Sequence, residues 1–134
     1  MTDNVARTRA VFDAFARGDV AFILDQLADD VAWEYGRVSN GVPWYQNRRG
    51  RAGAAEFFQS LAAVEFHVFA PTRFVGDGDL VIVLLDSDYT VRATGRRVVY
   101  QDAVMLWRFD DAGRITHFAH RVDTHQAWAA TQGE

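Results

Sequence analysis

The chain has 134 residues, 49% of them hydrophobic and 13% aromatic, enough for one domain with a sizeable core. Its net charge of −4 argues against nucleic acid as the main partner, since affinity there rests on neutralising phosphates, and the absence of cysteine excludes disulfides and thiol chemistry. The first residues are polar and acidic, unlike a signal peptide, and the longest apolar run, Leu80 to Leu85, is far below the roughly 20 residues of a membrane helix, so a soluble cytoplasmic protein is expected.

Residues 3 to 17 place Val5, Val11, Phe12 and Phe15 at the spacing of one helix face, with Gly18 closing the helix. Asp19 reads as the N-cap of a second helix that buries Val20, Ile23, Leu24 and Leu27. Val31 to Tyr35 reads as a short strand with Trp33 and Tyr35 on one face. The stretch from Gly36 to Gly50 is irregular and carries Pro43, Trp44 and Tyr45; a loop this long in a compact domain is usually functional or mobile. Residues 51 to 62 form a third helix presenting Ala54, Phe57, Phe58 and Leu61. A strand from Val64 to Val75 is interrupted by Pro71, which suggests a bend or a sheet edge.

From Leu80 to Asp123 the pattern is a meander of three long strands with turns at Ala93–Arg96 and Asp110–Gly113. Successive side chains of a strand point to opposite faces, so parity decides which residues share a space. The first strand turns Val81, Val83, Leu85, Ser87, Tyr89 and Val91 inward, because the other parity becomes charged halfway along. The second is assigned Gln101, Ala103, Met105, Trp107 and Phe109, and the third Phe118, His120 and Val122, although Ile115 then falls on the outer parity. Beyond Asp123 the tail makes a short helix or frays. Helices at one end and strands at the other give an α+β domain with helices on one sheet face.

Three passages carry a resemblance. They are Ala16-Arg17-Gly18-Asp19-Val20 through Leu27-Ala28-Asp29-Asp30-Val31-Ala32-Trp33; Arg49-Gly50-Arg51 with Phe57-Phe58; and Thr90 to Arg96 through Trp107-Arg108-Phe109 to Val122-Asp123-Thr124. In this order and spacing the chain resembles the SnoaL-like branch of the nuclear transport factor 2-like superfamily, which includes ketosteroid isomerases, limonene epoxide hydrolases and polyketide cyclases. The resemblance implies a cone-shaped curved antiparallel sheet wrapped around three N-terminal helices, an enclosed apolar pocket and, commonly, a homodimer. It also implies which chemistry is missing. The isomerase general base falls on Tyr35 and its two oxyanion-hole donors on Val11 and Met105, so the steroid isomerase mechanism should be absent. The acid-base Asp that limonene epoxide hydrolase carries on its last strand matches His120, and Asp86 and Asp88 have the spacing but not the parity of its remaining polar groups.

The inward polar groups are then Tyr35, Tyr89, Ser87, Gln101 and His120. Near pH 7 only an imidazole, with an ordinary pKa of about 6.5, readily accepts a proton, whereas a tyrosine at about 10 donates hydrogen bonds. This makes His120 the candidate acid or base, with Tyr35 or Tyr89 orienting a substrate; the plainer alternative is a hydrogen-bonded core histidine and two pocket-lining phenols. Trp33, Trp44, Tyr45, Phe57, Phe58, Met105, Trp107 and Phe118 complete the expected pocket wall. His117, His120 and His125 do not make a metal set, since the first two point to opposite faces. No phosphate-cradling or dinucleotide motif appears, and no cofactor is expected. Arg48, Arg49 and Arg51 read as a solvated loop before the third helix.

Ile82, Leu84, Val104 and Leu106 fall together on the outer parity, where they should meet water. Four such aliphatics predict a partner, most simply a second copy across a two-fold axis, unless the C-terminal tail covers them. Two functions fit the whole: a cofactor-free enzyme acting by proton transfer on a hydrophobic carbonyl or epoxide compound, polycyclic or terpenoid-like in size, or a binding module with the same pocket and no chemistry.

Overall fold

In the computed structural model, which describes residues 3–38 and 40–133, the chain is organised on one curved six-stranded sheet. Helix α1 (Asn4–Ala16) begins where the Asp3 carboxylate accepts the Ala6 N–H at 2.9 Å, and Asn4 ties the same end to the Gly78 carbonyl at 3.1 Å. It stops at Gly18, whose φ of 76° reverses the chain at little steric cost. Helix α2 (Val20–Asp25) is capped by Asp19, as its sequence predicts, through the Phe22 N–H at 3.1 Å. Of the face expected to be buried, Ile23 is fully covered while Val20 and Leu24 are half-buried. Leu27 is buried too, but as the first residue of strand β1 (Leu27–Glu34), which starts four residues before the expected strand. Three hydrogen bonds favour the early start: the Gln26 carbonyl accepts the Ile115 N–H at 2.9 Å, and the Leu27 carbonyl accepts two from Arg51 at 2.8 and 3.0 Å.

A two-residue strand β2 (Arg48–Arg49) precedes helix α3 (Gly50–Ser60), which ends in one tighter turn at Leu61–Ala63. Then come β3 (Val64–Asp77), β4 (Leu80–Val91), β5 (Arg97–Phe109), β6 (Ile115–Arg121) and helix α4 (Thr124–Ala130). The order across the sheet is β2-β1-β6-β5-β4-β3, with β1 parallel to β6 and every other pair antiparallel. Strand β3 is the edge, and the register shifts just after Pro71, where a residue without an N–H costs the ladder least.

Further register shifts near Phe66, Ser87 and Phe109 bend the sheet so that its concave face wraps α1 and α3. On that face Phe12 of α1 meets Phe74 and Trp107 edge-on at 5.6 and 5.9 Å, and Phe57 and Phe58 of α3 lie 5.4 and 5.8 Å from Trp33.

The shift in β5 changes one assignment. Gln101 and Asp102 together oppose Asp86, so Tyr100 and Ala103 both turn inward and Gln101 is exposed, not on the inner face. Asp102 pays for this with a φ of 56°, and its N–H is held by the Asp86 carboxylate at 3.1 Å. A second shift, at Thr116, lets Ile115 join Phe118 and His120 in the core despite its parity.

Beyond the end of β6 the free edge of β5 is covered by one side chain. The Gln126 amide accepts the Val99 N–H at 2.6 Å and donates to the Val99 carbonyl at 3.0 Å, standing in for a neighbouring strand.

Candidate functional site

Between α1, α3 and the concave sheet face lies an apolar cavity of about 60 Å³. Its floor is Trp33, Trp107 and Phe118, with ring centroids 4.2 Å apart for Trp33–Phe118 and 4.6 Å for Trp107–Phe118. Of the other residues singled out from the sequence, Trp44, Tyr45, Phe57, Phe58, Ser87, Tyr89, Met105 and His120 also line it. The helices add Val11, Phe12, Phe15 and Ile23, and the edge strand adds Phe66 and Phe69. None of these six was among the expected pocket wall; on the strand, a register shift between Phe66 and Val68 brings two residues of opposite parity onto the same face.

Two expected members lie elsewhere. Gln101 sits in the β5 bulge and faces an outer cleft. Tyr35 is buried at 5% exposure but lines that same cleft, its hydroxyl oxygen accepting the Trp33 indole N–H at 3.1 Å. Both Val11 and Met105 reach the cavity, so two positions that carry oxyanion donors in a steroid isomerase present only hydrocarbon and thioether here. No carboxylate lines the cavity among the described residues. Asp86 and Asp88 stay on the outer face, where Asp88 pairs with Arg97 and is thereby held below the usual carboxylate range.

The polar groups cluster at one end. Trp44 donates from its indole to the Tyr89 hydroxyl at 3.1 Å, and the Tyr45 and Tyr89 hydroxyls are 3.2 Å apart. Burial pushes the phenols of Tyr35, Tyr45 and Tyr89 above their ordinary value of 10, so all three remain neutral hydrogen-bonding groups.

His120 is different. It is opposite Met105 in the β5–β6 ladder, with its ring 5.9 Å from Tyr35, 5.9 Å from Tyr45 and 6.1 Å from Phe118. Its Nε2 is fully buried with no hydrogen-bond partner, a condition shared by Trp107 Nε1. Burial lowers its pKa from 6.5 to about 3, with the neighbouring Arg121 cation adding to the effect. The imidazole is therefore neutral near pH 7, and its Nε2 is packed within the cavity wall with no group to bind. Most buried polar atoms in folded proteins are satisfied, so an unpartnered nitrogen on a residue that lines the cavity stands out.

The remaining three histidines do not join it. His67 is exposed beside Thr90, His117 is exposed beside Thr116, and His125 is exposed and stacked on Trp128 at 5.8 Å. Among the described residues no three His, Cys, Asp or Glu side chains come together as metal ligands. Nor is any described helix long and apolar enough to cross a membrane.

Comparison with known proteins agrees with this architecture. An NTF2-like protein of unknown function from Burkholderia pseudomallei K96243 is 26% identical, with a TM-score of 0.84 over 97% of this chain and 98% of that one. An NTF2-like protein from Burkholderia xenovorans LB400 is 27% identical, with a TM-score of 0.83 over 96% of this chain and 95% of the other. An LEH-like epoxide hydrolase from M. tuberculosis shares the fold at 20% identity and a TM-score of 0.70, over 95% of this chain and 87% of that one. No curated protein matches the chain. Residues 8–118 match the model of the SnoaL-like domain, and the chain belongs to that family.

Proposed function

We propose that this chain is a cofactor-free enzyme that moves a proton on a small hydrophobic substrate, with His120 as the acceptor and Tyr89 and Tyr45 polarising the substrate's oxygen. The observation that carries the reading is the buried, unpartnered Nε2 of His120 on the wall of an apolar cavity. An imidazole held at about 3 is a weak base by itself. Its protonation is helped when the substrate becomes an anion beside it, since an opposite charge within hydrogen-bond reach favours the imidazolium. For a carbonyl substrate the C–H bond breaks, the proton goes to His120, and the electron pair moves onto the carbonyl oxygen as an enolate, which a neutral phenol stabilises by donating to it. Where the enolate is conjugated with a C=C, return of the proton from His120 to the γ-carbon gives an isomerase; where the enolate carbon attacks a second carbonyl of the same substrate, that carbonyl oxygen takes the proton back and the product is a ring.

The test is deuterium uptake at the α-carbon of 2-tetralone in D2O, followed by NMR. Wild-type protein should accelerate exchange and His120→Gln should abolish the acceleration, a loss of about 10²- to 10⁴-fold for one placed acid-base group. Exchange that survives the substitution, or no acceleration by either form, rejects this role for His120.

One observation favours a second reading, a small-ligand binder without chemistry: the cavity wall contains no carboxylate among the described residues. In that case ligands shift the thermal midpoint while no exchange is seen. Under either reading we take the outer face around Ile82, Leu84, Val104 and Leu106 to pair with a second copy of the chain.

A further inference from the structure

The inner cavity, at about 60 Å³, is too small for the substrate class just proposed, since a dry apolar cavity that holds even benzene measures about 150 Å³. Next to it is a cleft of about 510 Å³ between the β5 bulge, the end of β6 and the start of α4. The wall between them is one side chain thick. Tyr35 and Tyr100 form its outer surface, at 5% and 6% exposure. On the inner side Tyr45 stacks on Tyr35 at 5.0 Å, His120 lies 5.9 Å from Tyr35, and Tyr89 lies 6.3 Å from Tyr100. The histidine that lacks a partner is thus separated from the cleft by a single phenol.

We infer that the cleft is the outer half of one binding site, reached by displacement of the Tyr35 ring, and that the ligand is a planar, mostly apolar molecule with an uncharged polar end that stays in the cleft. This inference rests on the reading that the inner cavity takes the ligand. Planarity follows from what the ligand must replace: the Tyr35 and Tyr45 rings are inclined by only 29°, so a flat guest can take the place of Tyr35 against the Tyr45 face. The uncharged end follows from the cleft's mixed chemistry. Arg121 stands there against two carboxylates, Asp102 and Asp123, so an anionic end is disfavoured, and with Asp123 committed as the α4 cap a cationic end has only Asp102 to meet while Arg121 repels it. Asp123 caps α4 and the Gln126 amide is committed to Val99, which leaves Gln101 and Thr124 as uncharged partners.

The probe is 2-naphthol, neutral at pH 7, with binding followed by stopped flow through quenching of the cavity tryptophans. Tyr35→Ala should speed association by about tenfold, because the ring no longer has to move, and Gln101→Trp should slow it by a similar factor by narrowing the cleft. Wild-type protein should bind 2-naphthol about three- to tenfold tighter than naphthalene, the worth of one hydrogen bond, and 2-naphthoate no better than naphthalene. If Tyr35→Ala does not fold, Gln101→Trp decides alone, since residue 101 is exposed. Binding with unchanged rates in these variants overturns the shared site while leaving the cavity reading intact. Equal affinity for naphthalene and 2-naphthol overturns the polar end. No binding by any form overturns both readings.

Discussion

At the scale of single residues, His120 carries the sharpest consequence. In the unfolded chain its imidazole takes a proton at its ordinary value near 6.5, while in the folded chain burial delays protonation to about 3. The unfolded state therefore binds more protons throughout this interval, so the stability that His120 contributes is complete above pH 6.5 and is lost as pH falls toward 3. Between pH 7 and pH 5 this one group should cost about 2 kcal/mol of folding free energy. His120→Gln does not titrate, so urea unfolding should show its stability falling less steeply than wild type over that interval, by about the same amount; parallel slopes would mean that the ring is solvated. The inward direction of His120 was legible from strand parity alone. Its lack of a partner was not, because that depends on Tyr45 and Tyr89 bonding each other and on Tyr35 bonding Trp33, pairings that a sequence does not display.

Secondary elements expose a different limit. In β4 the inner residues alternate without a break from Val81 to Val91, and reading every second residue places all of them correctly. In β5 the same rule fails at one point. Val98 and Tyr100 have one parity, Ala103, Met105 and Trp107 the other, and the polar pair Gln101-Asp102 stands between the two apolar sets. Two consecutive polar residues at a parity switch are what a bulge leaves in a sequence, and that signal was available. The cost of the bulge is concentrated in Asp102, whose positive φ is disfavoured for a residue with a Cβ by about 1–2 kcal/mol and more for a branched one. Asp102→Val should therefore lower stability by about 2 kcal/mol or more although the site is exposed, while Asp102→Gly should leave it unchanged or raise it, both measured by chemical denaturation. Equal stability of Val and Gly variants would show that the ladder does not require this backbone. The bulge also reaches the candidate site: by turning Tyr100 inward it builds half of the partition between cleft and cavity.

For the whole molecule, the open question is what meets the convex side of the sheet. Ile82 faces Leu106 and Leu84 faces Val104 across the β4–β5 ladder, so the four aliphatics form one contiguous patch, each half-buried in the single chain. Helix α4 does not serve as their cover by its bonds: it is fixed to Val99 through Gln126 and to Thr94 through the Ala130 carbonyl, at the hairpin end of the same strands. A patch in mid-sheet suits a two-fold contact, because the same pairs then oppose themselves in the second copy. A stable dimer of ordinary size needs about 800 Å² from each partner, more than four side chains provide, so exposed neighbours such as Arg108 and His117 would have to join the rim. Adding one charge at the centre should then be decisive, since a buried unpaired carboxylate is costly while the same group on a monomer surface is not. Sedimentation equilibrium at micromolar concentration should give a dimer for wild type and a monomer for Leu84→Glu, with identical circular dichroism. A monomeric wild type under those conditions would leave the aliphatic patch exposed to water and remove the case for a two-fold partner.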